Sequence, residues 1–314
     1  MAIDALDPEV ADLRRALRDA GLDGFQTTEP IEDARAQSVA ARTRFYPQVG
    51  VPVASIEDVT IPTRAGAVPA RVLRPRVADA PESTLPTLLY FHGGGFCLGD
   101  IDAHEAHARR LAARVGAVVV NVGYRLAPEH PFPAGADDAF AALEWAMAHV
   151  DRLGGDGRRI AVAGDSAGGN LAAVTALAAA AEGIGLAGQL LAYPVTDLST
   201  TAPGVVERWY LGGRLDLLAD PRVSPARSGL LSRVAPVVLG VGGHDFLLRD
   251  NVAFARRLEQ RRVPHRIRVF PGLDHGFLSF VSVSAASARA ADVLYADFRA
   301  LMRVGPAALI AREP

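Results

Sequence analysis

Apolar segments of four to six residues alternate with helical patterns over the last two thirds of the chain, and no other feature restricts the fold so strongly. Parallel strands require helical crossovers between them, and these helices cover both faces of the sheet. The sequence therefore predicts an α/β fold with a mostly parallel sheet. Strands are predicted at 87–91, 117–122, 160–163, 189–193, 237–241 and 265–270, and helices at 103–115, 137–150, 167–181, 251–262 and 285–301.

A hairpin is predicted ahead of this alternation. Residues 56–61 and 68–73 are short runs rich in β-branched side chains, and Arg64-Ala65-Gly66 separates them. Two such runs around a glycine-containing turn are typical of paired antiparallel strands. We expect this hairpin to form an antiparallel edge of the sheet.

A cap is predicted from two other regions. Residues 1–50 carry apolar residues at helical spacing from Leu13 to a stop at Gly21, which indicates an N-terminal helical cap segment before a core at 51–314. Residues 198–235 have no strand–helix period and contain several glycines and prolines. A long insertion after a strand is often a functional lid. We expect this insertion to complete the cap.

Ser166 lies in the run Gly164-Asp165-Ser166-Ala167-Gly168, between a predicted strand and an alanine-rich predicted helix. A serine on a sharp strand-to-helix turn has a strained backbone, so its neighbours must be small. The helix N-terminus directs unpaired N–H groups and partial positive charge to the same place, where an oxyanion would be stabilised. The pattern predicts that Ser166 is a nucleophile. The alternative is a glycine-rich helix start that only packs closely.

A glycine loop, His92-Gly93-Gly94-Gly95-Phe96, directly follows the predicted strand 87–91. In folds with a nucleophilic serine on a strand-to-helix turn, the loop at this place donates backbone N–H groups to an oxyanion. A phosphate-binding loop of the dinucleotide type would need G-x-G-x-x-G at a strand–helix junction, which is absent here. We expect His92 to orient the loop by hydrogen bonds. The candidate oxyanion donors are the N–H groups of Gly93, Gly94, Gly95 and Ala167.

A serine nucleophile needs a base, and the base needs an acid that orients it. The expected chain order is serine, acid, histidine. His275 follows the last predicted strand and Asp245 follows the strand before it, so we assign His275 as the base and Asp245 as the acid. Asp250 and Asp274 are alternatives for the acid. Asp250 is expected to cap the next helix, and Asp274 adjoins His275, where side chains usually diverge.

Two other patterns are assigned no chemistry. His104 and His107 are three residues apart, whereas the zinc-binding helix H-E-x-x-H places its histidines four apart, so a solvated helix face is expected and no metal. Cys97 is the only cysteine. It is expected to fill apolar space near the pocket, and it allows no intrachain disulfide.

Composition and charge exclude some classes of partner and location. The formal net charge of −2 argues against a nucleic-acid partner, since such proteins usually carry a basic excess. The sequence contains no run of about 18 apolar residues, so no membrane span is predicted. The start of the chain has neither the basic residues nor the apolar run of a secretory signal, so a cytoplasmic location is expected.

Three strings together resemble the hormone-sensitive-lipase family of α/β-hydrolases, which includes bacterial esterases and lipases: the glycine loop, the serine pentapeptide, and the run YRLAPEHPFPA at 124–134. The resemblance extends from Val53 to the last predicted helix. It implies an α/β-hydrolase fold with an eight-stranded sheet, helices on both faces, and a cap formed by the N-terminal helices and the insertion. It also implies hydrolysis of short- to medium-chain acyl esters without a cofactor, and pairing of two copies through an edge strand.

One departure from that family concerns the acid. The family motif often reads Asp-Pro-Leu-x-Asp-Glu, whereas here Asp245-Phe-Leu-Leu-Arg-Asp250 has one more residue between its two acids. Both acids therefore stay candidates at this point.

The predicted partner is a small-molecule ester that is hydrolysed through an acyl-enzyme on Ser166. Two other functions use the same parts. An amidase or peptidase would use the same triad, and a non-catalytic receptor for a small molecule would share the fold but lack the catalytic histidine. The predicted pocket walls are Phe25, Phe96, Trp209 and Tyr210.

Overall fold

A single eight-stranded sheet lies at the centre of the computed structural model, which describes residues 5–24, 28–76, 84–200 and 204–310. Its strands are β1 (Ser55–Thr63), β2 (Gly66–Arg74), β3 (Leu85–Phe91), β4 (Val118–Val122), β5 (Gly155–Asp165), β6 (Gly188–Ala192), β7 (Val237–Gly242) and β8 (His265–Phe270). The strand order is β1-β2-β4-β3-β5-β6-β7-β8. The pairs β1–β2 and β2–β4 are antiparallel, and all the others are parallel. This confirms the predicted mostly parallel sheet and its hairpin edge.

Helices cover both faces of this sheet. In the described residues the α-helices are α1 (Pro8–Asp19), α2 (Ile31–Phe45), α3 (Glu105–Val115), α4 (Ala134–Ala148), α5 (Val150–Leu153), α6 (Ala167–Ala181), α7 (Val205–Leu211), α8 (Leu248–Gln260), α9 (Ala285–Val304) and α10 (Ala307–Ile310). Strands β3, β4, β6 and β7 are buried at nearly every position, as strands covered on both sides are. No helix among these residues is long and apolar enough to cross a bilayer.

The predicted elements differ from the observed ones mainly at their ends. Helix α6 has the predicted bounds, and α1 ends just before Gly21, whose φ of +66° suits a glycine. Strand β5 begins at Gly155 and not at residue 160, because Gly155 continues the pairing with Leu85 of β3. Helix α8 begins at Leu248 and not at residue 251.

Helix α2 and helix α7 of the insertion meet in one apolar cluster. Ile31 and Ala34 of α2 are buried together with Cys97 and Leu98, which follow the glycine loop. Val206 and Trp209 of α7 pack against the same cluster. The insertion also contains 3₁₀ helices at Leu198–Thr200, Leu215–Ala219, Pro225–Arg227 and Leu231–Arg233. The two regions that were expected to form a cap therefore pack against the same cluster beside the glycine loop.

The run at 124–134 supports the glycine loop from below and ties the cap to it. The Tyr124 hydroxyl donates to the His92 carbonyl oxygen at 2.7 Å. Glu129 forms a bidentate pair with Arg35 of α2, at 2.6 and 2.8 Å. The Phe132 N–H donates to the carbonyl oxygen of Tyr210, at the end of α7. The run thus joins the loop, α2 and α7 through hydrogen bonds.

Arg125, in the same run, forms the most buried ion pair of this region. Its guanidinium makes two hydrogen bonds of 2.8 Å to Asp138, and its backbone N–H makes a third of 3.0 Å. The Asp138 side chain is fully buried on α4. These donors compensate the burial of the carboxylate, because a buried carboxylate without a partner is strongly destabilising.

Substitution Asp138→Asn is expected to lower the free energy of unfolding by about 3 kcal/mol, since the Arg125 guanidinium loses its anionic partner. Urea unfolding measures this difference. The matched control is Asp216→Asn in the exposed pair with Arg214, where no measurable change is expected. A loss for Asp138→Asn as small as that of the control would contradict the structural role of this pair.

Candidate active site

Ser166 occupies a strained turn between β5 and α6. Its φ and ψ are +52° and −118°, a conformation that costs a non-glycine residue on the order of 1–3 kcal/mol. Its N–H donates to the Ala192 carbonyl oxygen at 2.9 Å. A Cβ atom at Gly164 would collide with the backbone of Gly168, and one at Gly168 would collide with the backbone of β3. The turn can therefore close only with glycine at both positions.

His275 lies in the loop after β8 and contacts the serine. Its Nε2 is 2.9 Å from Ser166 Oγ, and its Nδ1 is 2.9 and 3.0 Å from the two carboxylate oxygens of Asp245. The Asp245 side chain is fully buried in the loop after β7 and also accepts the Leu247 N–H at 2.7 Å. When the Nδ1 proton is directed to the carboxylate, Nε2 can accept a hydrogen bond from the Ser166 hydroxyl.

The two alternative acids have other partners. Asp250 accepts hydrogen bonds from the Thr196 N–H and hydroxyl at 2.8 and 2.7 Å, and burial raises the pKa of this carboxyl. It lies within the first turn of α8, which begins earlier than predicted, so the prediction that Asp250 caps this helix is wrong. Asp274 pairs with Arg14 at 2.5 Å. Of the three candidate acids, only Asp245 is hydrogen-bonded to His275.

Asp165 fixes the glycine loop beside the serine. Its Oδ1 accepts the Tyr90 hydroxyl at 2.6 Å and the Gly93 N–H at 2.9 Å. The Gly93 N–H already donates to this carboxylate, so Gly93 is removed from the candidate oxyanion donors. Gly94 and Gly95 have φ values of +124° and +61°, which favour glycine. Among the described residues, none accepts a hydrogen bond from the N–H groups of Gly94, Gly95 or Ala167.

Three histidines lie near the glycine loop, and of these His92 is buried. The His92 ring contacts the Gly93 carbonyl oxygen at 2.8 Å and stacks on Tyr124 and His104, with centroids 4.4 and 4.9 Å apart. Burial lowers the pKa of His92, His104 and His107 to about 4. His107 contacts the Tyr295 hydroxyl at 3.2 Å, and the described part of the chain contains no cluster of three metal-ligating side chains. His104 and His107 are half-buried, so the expectation of a solvated helix face is wrong.

A cavity of about 1020 Å³ is lined by the glycine loop, Ser166 and His275. Pockets of about 300–1,000 Å³ bury drug-sized ligands. Phe96 and Tyr210 line it as a stacked pair with centroids 3.7 Å apart. Trp209 packs instead against the apolar cluster that contains Ile31 and Leu98, and it is absent from the cavity wall. The prediction that Trp209 is a pocket wall is therefore wrong. Phe25 lies outside the described residues.

The chain is similar to known proteins over most of its length. A family model of the α/β hydrolase fold matches residues 88–279. The chain belongs to the α/β-hydrolase family. Esterase LipI of Mycobacterium tuberculosis is 36% identical over 86% of this chain and 89% of its own. The solved structure of a hyperthermophilic esterase from the archaeon Pyrobaculum calidifontis has a TM-score of 0.85 and 34% identity, and the match covers 95% of this chain and 99% of that one.

The resemblance to hormone-sensitive lipase is also confirmed. The mouse protein of that name is 43% identical over 43% of this chain, a stretch that makes up 18% of the mouse protein. In this α/β-hydrolase the fold expected from the resemblance is present, with its eight strands and its helices on both faces.

Arg14 of α1 is a residue of the site that the sequence did not indicate. Its Nε donates to the Asp274 carboxylate at 2.5 Å and its Nη2 to the His275 carbonyl oxygen at 2.7 Å. Its guanidinium also lies 4.9 Å from the centre of the Phe280 ring. Arg14 thus holds the backbone of His275 from the N-terminal region of this α/β-hydrolase. An arginine on an amphipathic helix carries no signal of such a contact.

Substitution Arg14→Gln is expected to lower kcat for p-nitrophenyl butyrate by roughly 10- to 100-fold with little change in KM, because the His275 loop loses its anchor and small displacements of reacting groups are costly. Steady-state kinetics on folded protein, checked by circular dichroism, measures the effect.

The matched control is Arg15→Gln on the same helix, since the Arg15 side chain is exposed and forms an ion pair with the exposed Asp12. Wild-type kcat is expected for this control. Wild-type kcat in Arg14→Gln as well would show that the arginine does not position His275.

Proposed function

We propose that this α/β-hydrolase cleaves short- to medium-chain carboxylic esters by acyl transfer through Ser166, with His275 as the base and Asp245 as its orienting acid. The class of the enzyme, a carboxylic-ester hydrolase, follows from its family and from relatives named as esterases that match most of its length. The identity of the triad and the chain length of the acyl group are what we propose beyond this class. That the enzyme forms a homodimer and that it is located in the cytoplasm stay predictions.

One observation carries the proposal. Ser166, His275 and Asp245 form a continuous hydrogen-bonded chain in which every link is 2.9 to 3.0 Å long. The three residues follow β5, β8 and β7, whose carboxyl ends lie at one edge of the sheet. Such a chain is the arrangement that activates a serine hydroxyl, which is otherwise a weak nucleophile.

The reaction has two halves. Ser166 Oγ attacks the ester carbonyl carbon while His275 Nε2 accepts the hydroxyl proton, and Asp245 stabilises the imidazolium that forms. The carbonyl oxygen becomes an oxyanion that accepts hydrogen bonds from the N–H groups of Gly94, Gly95 and Ala167. The imidazolium then protonates the leaving alkoxide, and an acyl-enzyme remains. Water, activated by His275, releases the acid and restores Ser166.

Two alternatives share these parts. A receptor would need no base, so the bond between His275 and Ser166 favours catalysis over simple binding. An amidase would use the same triad but would have to protonate a poorer leaving group. Turnover of butyl butyrate and N-butyl butyramide, measured side by side, distinguishes an ester hydrolase from an amidase. An ester hydrolase is expected to cleave only the first at a substantial rate.

Substitution Ser166→Ala is expected to lower kcat for p-nitrophenyl butyrate by a factor of roughly 10⁵–10⁶, and Asp245→Asn by roughly 10⁴, since each removes a member of the triad. The control for the acid is Asp250→Asn, which alters a buried carboxyl that faces Thr196 and not His275. Its kcat is expected to stay within the order of magnitude of the wild type.

Spectrophotometric release of p-nitrophenol measures all three variants. Turnover in Ser166→Ala at the wild-type rate would disprove the nucleophile. A larger loss in Asp250→Asn than in Asp245→Asn would transfer the role of the acid to Asp250.

A further inference from the structure

Phe246 is an exposed aromatic ring at the active site, which the triad does not explain. Its relative exposure is 61%, and it is the only aromatic among the exposed large hydrophobic residues in the described part of the chain. It lines the cavity that contains Ser166. Because the exposed ring shares a cavity with Ser166 and His275, a bound substrate can cover it, so this position is a candidate contact for substrate.

The ring of Phe246 lies directly on the imidazole of His275. Their centroids are 4.5 Å apart and their planes are inclined by 41°. The buried ring of Tyr193 also contacts His275, edge to face, with centroids 4.9 Å apart. The imidazole therefore has one aromatic neighbour in the core and another that faces the open cavity.

The geometry of acyl transfer places the alcohol part of an ester beside His275. The carbonyl oxygen points to the N–H groups of Gly94, Gly95 and Ala167, and the leaving oxygen must come within about 3 Å of His275 Nε2 to be protonated. The atoms attached to that oxygen are then close to the imidazole. Phe246 is a neighbour of the same imidazole, and aromatic rings contact one another at centroid separations of about 4.5–7 Å.

We propose that Phe246 forms the binding surface for the alcohol part of the substrate and that the alcohol carries an aryl group, as in an arylmethyl ester. This inference rests on the proposed function and names the substrate class of the same site. An aryl group gains the edge and face contacts of Phe246 that an alkyl group of equal size lacks. Arg249, three residues further on, is exposed and lines the same cavity, so it adds a cation that also favours an aromatic face.

A matched pair of esters tests the alcohol side. Benzyl butyrate and cyclohexylmethyl butyrate have the same acyl group and alcohols of nearly the same size, and they differ in aromaticity. The ratio of their kcat/KM values, measured by titration of released butyric acid, is expected to favour the benzyl ester in the wild type. Phe246→Leu is expected to lower this ratio about three- to tenfold, mainly through KM, whereas Phe246→Trp, which keeps a ring, is expected to retain it.

A second pair tests the acyl side. Butyl phenylacetate and butyl cyclohexylacetate carry the same difference on the acid, and Phe246→Leu is expected to leave their ratio unchanged. A change in this ratio instead of the first would place the ring on the acyl side and overturn the proposal. Equal losses on all four esters would show that Phe246 only shields the pair of His275 and Asp245 from water, which also overturns it.

The failure of the proposed function has a different signature. If the wild type cleaves none of the four esters, the proposed function fails, and this inference fails with it. If the wild type cleaves all four and the two ratios are the same in Phe246→Leu as in the wild type, only the assignment of the alcohol site fails.

Discussion

The left-handed backbone of Ser166 is the constraint on which the rest of the site depends. It is possible only with glycine at two positions, because a side chain at Gly164 would collide with the first turn of α6, and one at Gly168 would collide with the end of β3. Since α6 begins at the next residue, the same turn that exposes the Ser166 hydroxyl also leaves the Ala167 N–H unpaired. The candidate nucleophile and one candidate oxyanion donor are therefore products of one local conformation.

The groups around this turn come from distant parts of the chain, and buried polar contacts hold them in place. Asp165, next to the serine, uses one carboxylate oxygen to hold Tyr90 and the start of the glycine loop. Asp245 orients the His275 ring, and Arg14 holds the loop after β8 by donating to the backbone carbonyl oxygen of His275. The contacts of Asp165 and Asp245 link residues at or after the ends of neighbouring strands, and the contact of Arg14 adds a helix from outside the sheet. Hydrogen bonds to charged groups are stronger than neutral ones, so these few contacts fix the positions of the reacting atoms.

The sequence predicted the parts that depend on local patterns. The strand–helix alternation, the edge hairpin and the bounds of α6 follow from periodicity and glycine positions, and parallel strands bring the groups that follow them to one edge. The remaining features depend on side chains that meet across the fold. The bond that engages Gly93 spans 72 residues, and the bond from Arg14 to Asp274 spans 260. Trp209 and Tyr210 were both predicted to be pocket walls, but a helix of seven residues is too short for its pattern to show which one faces the cavity.

The most direct test of this account is a crystal structure of the protein after reaction with a p-nitrophenyl alkylphosphonate, whose tetrahedral phosphorus mimics the acyl-transfer intermediate. The account predicts a covalent bond from phosphorus to Ser166 Oγ and a phosphonyl oxygen at about 2.7–3.1 Å from the N–H nitrogens of Gly94, Gly95 and Ala167. The Gly93 N–H should stay bonded to Asp165. An adduct on another residue, or a phosphonyl oxygen directed away from these three N–H groups, would contradict it.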